Sequence, residues 1–226
     1  MKRTRIKLCG LRREEDVAAL YGLDVDAAGF ILVPGRKRTV TPERVRQLQS
    51  LLPAGVRSVG VMMDPSVQEV ESLLETVPLD EIQLHGGESP SFCRRIKEQL
   101  DITVVKVFHM EESVDGNAVP EAYAPWIGGA LLDSSVGGVR GGSGKRFAWD
   151  QIPAIRERWK PLGVPLWVAG GVSADNVTAL LSYHPDGVDV SSRIETAGRK
   201  DPVLMKRLVE RVRQVDQSFS STRKSG

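Results

Sequence analysis

Residues 129–149 read GALLDSSVGGVRGGSGKRFAW. The stretch opens on Ala130-Leu131-Leu132, an apolar triplet of the kind that fills a strand covered on both faces. It then meets a carboxylate at Asp133 and passes into a loop holding Gly137, Gly138, Gly141, Gly142 and Gly144. Strands buried on both faces belong to parallel sheets, and such sheets carry their chemistry at the C-terminal ends of the strands. A carboxylate at that position can hold an unusual pKa, and glycines let backbone N–H groups come close to an anion. The same residues also fit a plain connector in which Asp133 caps a strand. Two nucleotide-binding motifs fail here. A phosphate loop needs glycine where Val139 stands and Ser or Thr where Arg146 follows Lys145, and a dinucleotide fingerprint begun at Gly142 needs a small residue where Phe147 stands.

Outward from this stretch, apolar runs recur at 6–8, 27–33, 58–62, 81–84, 103–107, 130–132, 166–169 and 187–190. Amphipathic stretches lie between them at 14–20, 42–52, 66–76, 89–100, 150–159, 174–182 and 201–215, several opening with the Ser, Thr, Asp or Pro of a helix start. The fifth crossover, 110–125, holds Gly, Asn and two prolines where a helix is expected, and is read as irregular. Strand and helix in alternation imply a parallel sheet, and eight units imply closure into a (β/α)8 TIM barrel, an α/β fold of one domain over 1–215; a doubly wound open sheet is the structural alternative. Residues 216–226, rich in Ser, Thr, Lys and Arg, are read as a disordered C-terminal tail.

Composition narrows the partners. The 226 residues are 41% hydrophobic, enough for a sizeable core, and 31 basic against 29 acidic side chains leave a net charge of only +2. No nucleic-acid face and no membrane patch is indicated, so the expected partner is a small molecule. Cys9 and Cys93 have neither disulfide-framework nor zinc-site spacing, and no run approaches the roughly 20 apolar residues of a membrane span. A cytoplasmic protein without a metal, monomeric or homodimeric, is the expectation.

In a barrel the loops after the strands form the active-site rim. Those loops supply Cys9-Gly10, then residues 34–38 with Arg36, Lys37 and Arg38, then Asp64, His85-Gly86, His109, Asp133 with its glycine loop, Gly170-Gly171, and Ser191-Ser192-Arg193. Phosphate sites in such barrels are commonly built from the loops after strands seven and eight. Gly170, Gly171 and Ser192, with Gly142, Ser143 and Gly144 of the sixth loop, are therefore candidates to hold one phosphate group, and a phosphorylated small molecule is the implied ligand.

The blocks KLCGL at 7–11, GFILVPGRKRTVTPE at 29–43, VGVMMD at 59–64, EIQLHGGE at 81–88, LLDSSVGGVRGGSGKRFAWD at 131–150, VAGGVSADNV at 168–177 and GVDVSSRIE at 187–195 cover nearly the whole chain. Together and in this order they resemble the phosphoribosylanthranilate isomerases. The resemblance implies an enzyme of tryptophan biosynthesis that carries out an Amadori rearrangement. N-(5'-phosphoribosyl)anthranilate becomes 1-(2-carboxyphenylamino)-1-deoxyribulose 5-phosphate, and no cofactor is required. It further implies that Cys9 is the general base, Asp133 the general acid, and Arg38 the group that binds the anthranilate carboxylate, with Arg36 and Lys37 as solvated neighbours. The chemistry asks for such a pair independently, because the ribose ring oxygen must gain a proton and C2 must lose one.

A free thiol is only a few per cent ionised at neutral pH, so Cys9 needs local positive potential. Lys7, two residues away on the same strand face, is the nearest candidate for it and for lining the substrate pocket. His85 either lines that pocket or caps strand four, while His109, His184 and Cys93 are read as structural. The sequence departs from the family at Arg193, where the family's eighth loop carries a glycine. That side chain would either crowd the phosphate or add a cation beside it, and would be strained if its φ were positive. Another phosphosugar isomerase, or a phosphosugar-binding barrel without catalysis, is the rival reading; histidine-pathway isomerases use two aspartates, whereas strand one here ends in Cys9.

Overall fold

The computed structural model describes residues 3–110, 121–136, 139–140 and 148–222. Eight parallel strands alternate with helices: β1 (Arg5–Cys9), α1 (Glu14–Ala18), β2 (Ala27–Ile31), α2 (Pro42–Gln49), β3 (Arg57–Met62), α3 (Val67–Thr76), β4 (Glu81–Leu84), α4 (Pro90–Leu100), β5 (Thr103–Met110), β6 (Gly129–Val136), α5 (Ile152–Trp159), β7 (Leu166–Val168), α6 (Val177–Leu181), β8 (Gly187–Val190) and α7 (Pro202–Thr222). The strands pair in the order β5-β4-β3-β2-β1-β8-β7-β6 and β5 also pairs with β6, so the sheet closes on itself. An open doubly wound sheet would leave two edges unpaired; the β5–β6 ladder, from Val105↔Gly129 to Met110↔Ser134, removes both. The structure is a (β/α)8 barrel.

The helices begin where their capping residues stand. Thr41, Ser66 and Ser89 each accept a hydrogen bond from a backbone N–H three residues on, and Pro42 and Pro90 occupy first-turn positions that need no N–H. Ser66 and Glu69 satisfy one another's backbone donors in a capping box. Between barrel and helices lies the main core, with Ile6, Leu8, Phe30, Ile82 and Trp159 among its fully buried members. Inside the barrel a second cluster of Val105, Val107, Leu131, Trp167 and Ala169 fills the space on the other face of the strands. The two faces follow from the period-2 alternation of strand side chains.

Of the irregular fifth crossover, residues 111–120 lie outside the described residues; its last part, Glu121–Trp126, is a 3-10 helix. The end of the chain differs from expectation. The last helix does not stop at Val215 but continues to Thr222, so the tail expected from Asp216 is helical in its first turns. Two contacts hold it: Asp216 accepts from the Thr4 hydroxyl at 2.7 Å and from Arg213 at 2.8 Å, and the Phe219 ring packs 5.2 Å from that of His184. Among the described residues no helix is long and apolar enough to cross a membrane.

Candidate active site

The C-terminal ends of the strands open on one cleft of ≈ 800 Å³, and Cys9, Arg38, His85, Asp133, Gly170 and Arg193 all line it. Cys9 ends β1 and Asp133 lies on β6; both are buried. The base and acid expected from the sequence therefore face the same space from different strands. Gly171 and Ser192 also line the cleft. Gly142, Ser143 and Gly144 lie outside the described residues.

At the base end, strand alternation puts Lys7 and Cys9 on the barrel's inner face. Gly29, the register partner of Cys9 on β2, makes room for them: a Cβ there would come within 2.6 Å of the Cys9 sulfur and 3.0 Å of Lys7 Cε. Burial pushes the Cys9 thiol above its ordinary pKa, while Lys7 and, more weakly, Lys200 pull it down. Lys7 itself is held charged: burial opposes the charge, but Asp189 and Cys9 more than offset it and raise its pKa. Lys7 Nζ donates to Gln83 Oε1 at 2.8 Å and to Asp189 Oδ2 at 2.9 Å. Contrary to expectation, Lys7 is not among the residues lining the cleft; its ammonium is held by Gln83 and Asp189, which do line it, and acts on Cys9 from beside them.

At the acid end, His85 follows β4 and its Nε2 lies 3.4 Å from Asp133 Oδ2. His109 is the register partner of Asp133 and continues the inward series Val105, Val107. Its Nε2 sits 2.9 Å from the His85 carbonyl, and a carbonyl only accepts, so Nε2 carries the proton. Burial lowers the pKa of His109, which keeps the ring neutral. Reading His109 as purely structural thus missed its place beside the acid; the alternation with Val105 and Val107 was the available signal.

His85, His109 and Asp133 each bring one ligand atom within 4.8 Å of the others, the kind of grouping that could hold a cation. The protonation pattern argues against that use. Gln83 Oε1 faces a lysine ammonium, which has no acceptor, so the amide must turn its Nε2 to His85 Nδ1, 3.3 Å away. His85 Nδ1 is then an acceptor, its proton sits on Nε2 toward Asp133, and it has no free lone pair for a metal.

Loop two brings Arg38 to the cleft, where its Nε and Nη2 donate to the two oxygens of Glu195 at 2.6 and 2.8 Å. Glu195 and Lys200 belong to a two-stranded hairpin, Glu195–Thr196 with Arg199–Lys200, that follows β8. Lys200 Nζ donates to Glu195 Oε1 and to the Ser191 carbonyl, each at 2.9 Å. Burial alone would raise the Glu195 pKa, yet Arg38 and Lys200 bring it down to about 2, while burial lowers that of Lys200. Neither residue, nor Gln83 or Asp189, was singled out by sequence reasoning. Ionic partners 157 positions apart leave no local pattern, whereas Gln83 shares a strand face with His85 and was legible in the block EIQLHGGE.

Gly170 and Gly171 follow β7 with φ of +80° and +68°. A Cβ at Gly170 would come within 2.3 Å of Ser134 Oγ, so only glycine lets this loop approach the acid's neighbour. Ser192–Ile194 forms a 3-10 turn after β8. Arg193 is exposed within it and is not among the residues with positive φ, so the strain considered for a side chain at this position does not arise. Two buried polar atoms in the cleft wall have no protein partner among the described residues, Asp189 Oδ1 and Ser191 Oγ. An acceptor near the thiol and a hydroxyl beside Gly10 suit a ligand that carries hydroxyl and anionic groups.

Comparison with known proteins matches both the sequence and the fold. The family model described as N-(5'phosphoribosyl)anthranilate (PRA) isomerase matches residues 6–211. The N-(5'-phosphoribosyl)anthranilate isomerase of Geobacillus thermodenitrificans is 38% identical over 215 residues, 95% of this chain and 96% of that one. The crystal structure of the phosphoribosyl anthranilate isomerase of Thermotoga maritima superposes with a TM-score of 0.82 at 31% identity, covering 93% of this chain and 99% of that one. A further isomerase structure, solved in complex with reduced 1-(o-carboxyphenylamino)-1-deoxyribulose 5-phosphate, gives 0.77 at 27% identity over 93% of this chain and 99% of its own. The chain belongs to the N-(5'-phosphoribosyl)anthranilate isomerase family.

Proposed function

We propose that this protein isomerises N-(5'-phosphoribosyl)anthranilate to 1-(2-carboxyphenylamino)-1-deoxyribulose 5-phosphate. The observation that carries the reading is the common cleft: Cys9 and Asp133 line it together with a loop-two guanidinium, Arg38, and the glycine turn of loop seven. A ligand with a carboxylate at one end, a phosphate at the other and a ribose between them would lay the sugar across both groups.

Asp133 protonates the ribose ring oxygen and opens the ring to an iminium, and Cys9, as thiolate, removes the proton from C2 to leave the enolamine. Tautomerisation of the enolamine to the ketone completes the shift, so one proton is given, one taken, and the atoms balance. Arg38 pairs with the anthranilate carboxylate, and His85 borders the sugar beside Asp133. Gly170, Gly171, Ser192 and Arg193 hold the phosphate, joined in this reading by Gly142, Ser143 and Gly144. The experiment is growth without tryptophan of a bacterium whose own isomerase is deleted. The gene for this chain restores growth if the reading is right, and the Cys9→Ala and Asp133→Asn forms do not.

A further inference from the structure

We propose that Gln83 is a positioning residue that joins the base and acid halves of the site, setting the tautomer of His85 and, through it, which oxygen of Asp133 carries the catalytic proton. The inference rests on the isomerase reading for the role of Asp133, but its geometry stands apart from it. Gln83 is buried, on β4 between Lys7 and His85. Its carbonyl accepts from the Lys7 ammonium at 2.8 Å, and its amide nitrogen lies 3.3 Å from His85 Nδ1. His85 Nε2 in turn lies 3.4 Å from Asp133 Oδ2. A continuous line of polar contacts therefore runs Lys7, Gln83, His85, Asp133, and it starts from the lysine that lowers the Cys9 thiol.

Each member restricts the next. Lysine can only donate, so it fixes the amide orientation; the amide nitrogen can only donate, so it fixes Nδ1 as acceptor. Neutral imidazole has one proton, which must then sit on Nε2. The protonated Nε2 lies 3.4 Å from Oδ2 without yet donating to it; once substrate closes that gap Oδ2 accepts, and the proton that Asp133 gives to substrate resides on Oδ1. The sequence of donors and acceptors does for Asp133 what a buried carboxylate does for the histidine of a hydrolase triad: it selects one tautomer and one reactive atom. A 3.4 Å separation is long for a made hydrogen bond, and catalytic contacts commonly tighten only when substrate is bound.

The test uses the full chain labelled with 15N-histidine. In the wild type His85 Nδ1 should resonate as an unprotonated, acceptor nitrogen and Nε2 as a protonated one. Gln83→Glu replaces the donor by a second acceptor, so Nδ1 should become protonated. In that variant kcat should fall about 10²-fold, within the range typical of a general acid, with KM near the wild-type value. Gln83→Met keeps the length without the hydrogen bonds and guards against a charge artefact; it should lose kcat as well, whereas a space-filling role would leave it active.

A wild-type His85 protonated on Nδ1 overturns the proposal. So does a folded Gln83→Glu protein with an inverted tautomer and unchanged kcat. A wild type that does not act on phosphoribosylated anthranilate sinks the isomerase reading instead, and the histidine spectrum still decides the tautomer.

Discussion

Arg38 gives its Nε and Nη2 edge to Glu195 at 2.6 and 2.8 Å, in the two-point geometry of a guanidinium on a carboxylate. A guanidinium has a second two-point edge, Nη1 with Nη2, and holding the first fixes the direction of the other. Lys200, on the same carboxylate, keeps Glu195 charged and in place. In the proposed reading the carboxylate of the substrate would thus meet an arginine already oriented, which spares part of the cost of ordering a long side chain on binding.

Loss of that orientation is measurable. Glu195→Gln should raise KM about tenfold, roughly 1.4 kcal/mol, with kcat nearly unchanged. Arg38→Ala should raise KM further, and neither change should alter inhibition by inorganic phosphate as much, since in the proposed reading the phosphate rests on Gly170, Gly171, Ser192 and Arg193 and not on the Arg38 guanidinium. Equal weakening of substrate and phosphate in steady-state kinetics would contradict this division of the cleft.

The state of Cys9 predicts a pH profile. As the proposed base Cys9 must work as thiolate, and burial holds the free protein's thiol above its ordinary pKa. The fraction of active thiolate therefore rises with pH, and kcat/KM, which reports the free enzyme, should climb from about pH 7 and still be climbing at about pH 8.5, where an ordinary thiol is half ionised. A profile flat over that interval would mean that Cys9 is ionised in the free protein or is not the base.

Arg193 stands where the resemblance expects glycine, exposed on the cleft's edge. If its charge serves the phosphate, Arg193→Gly should weaken binding of substrate or inorganic phosphate by up to about tenfold at low salt, and by progressively less as salt screens the pair. Titration at several ionic strengths distinguishes this from crowding. Tighter binding by Arg193→Gly at low salt would show that the side chain obstructs the phosphate.

The glycine at 170 is a stability prediction. Its φ is +80° and an added Cβ would come within 2.3 Å of Ser134 Oγ. Gly170→Ala should cost more than about 1 kcal/mol and lower Tm by at least roughly 2–4 °C. Thermal unfolding monitored by circular dichroism checks it, and an unchanged Tm would mean that loop seven relaxes freely.

The barrel was legible because each strand is an apolar run long enough to stand out, and several helices carry their own start signal, such as Thr41-Pro42 and Ser89-Pro90. The misplaced ends have local causes. β5 runs on past Val107 to Met110 because Phe108 and Met110 are buried and the ladder to β6 continues through Met110↔Ser134. The last helix runs past Val215 because Phe219, one turn on, adds another apolar position against the core. Cys9, Asp133 and Arg38 were found through strand ends and motif blocks. Glu195, Lys200 and Asp189 were not, because their roles arise from ion pairs that only closure of the barrel brings together.

The central claim, that Cys9 and Asp133 act as base and acid on one phosphoribosylated anthranilate, is tested most directly by the fluorescence of that substrate. Purified wild-type protein should make the anthranilate signal decay at a rate proportional to enzyme concentration. Cys9→Ala and Asp133→Asn should each slow turnover by about 10²–10⁴-fold while still binding a product analogue. A stable signal with folded wild-type protein, or full activity in either variant, would contradict the account.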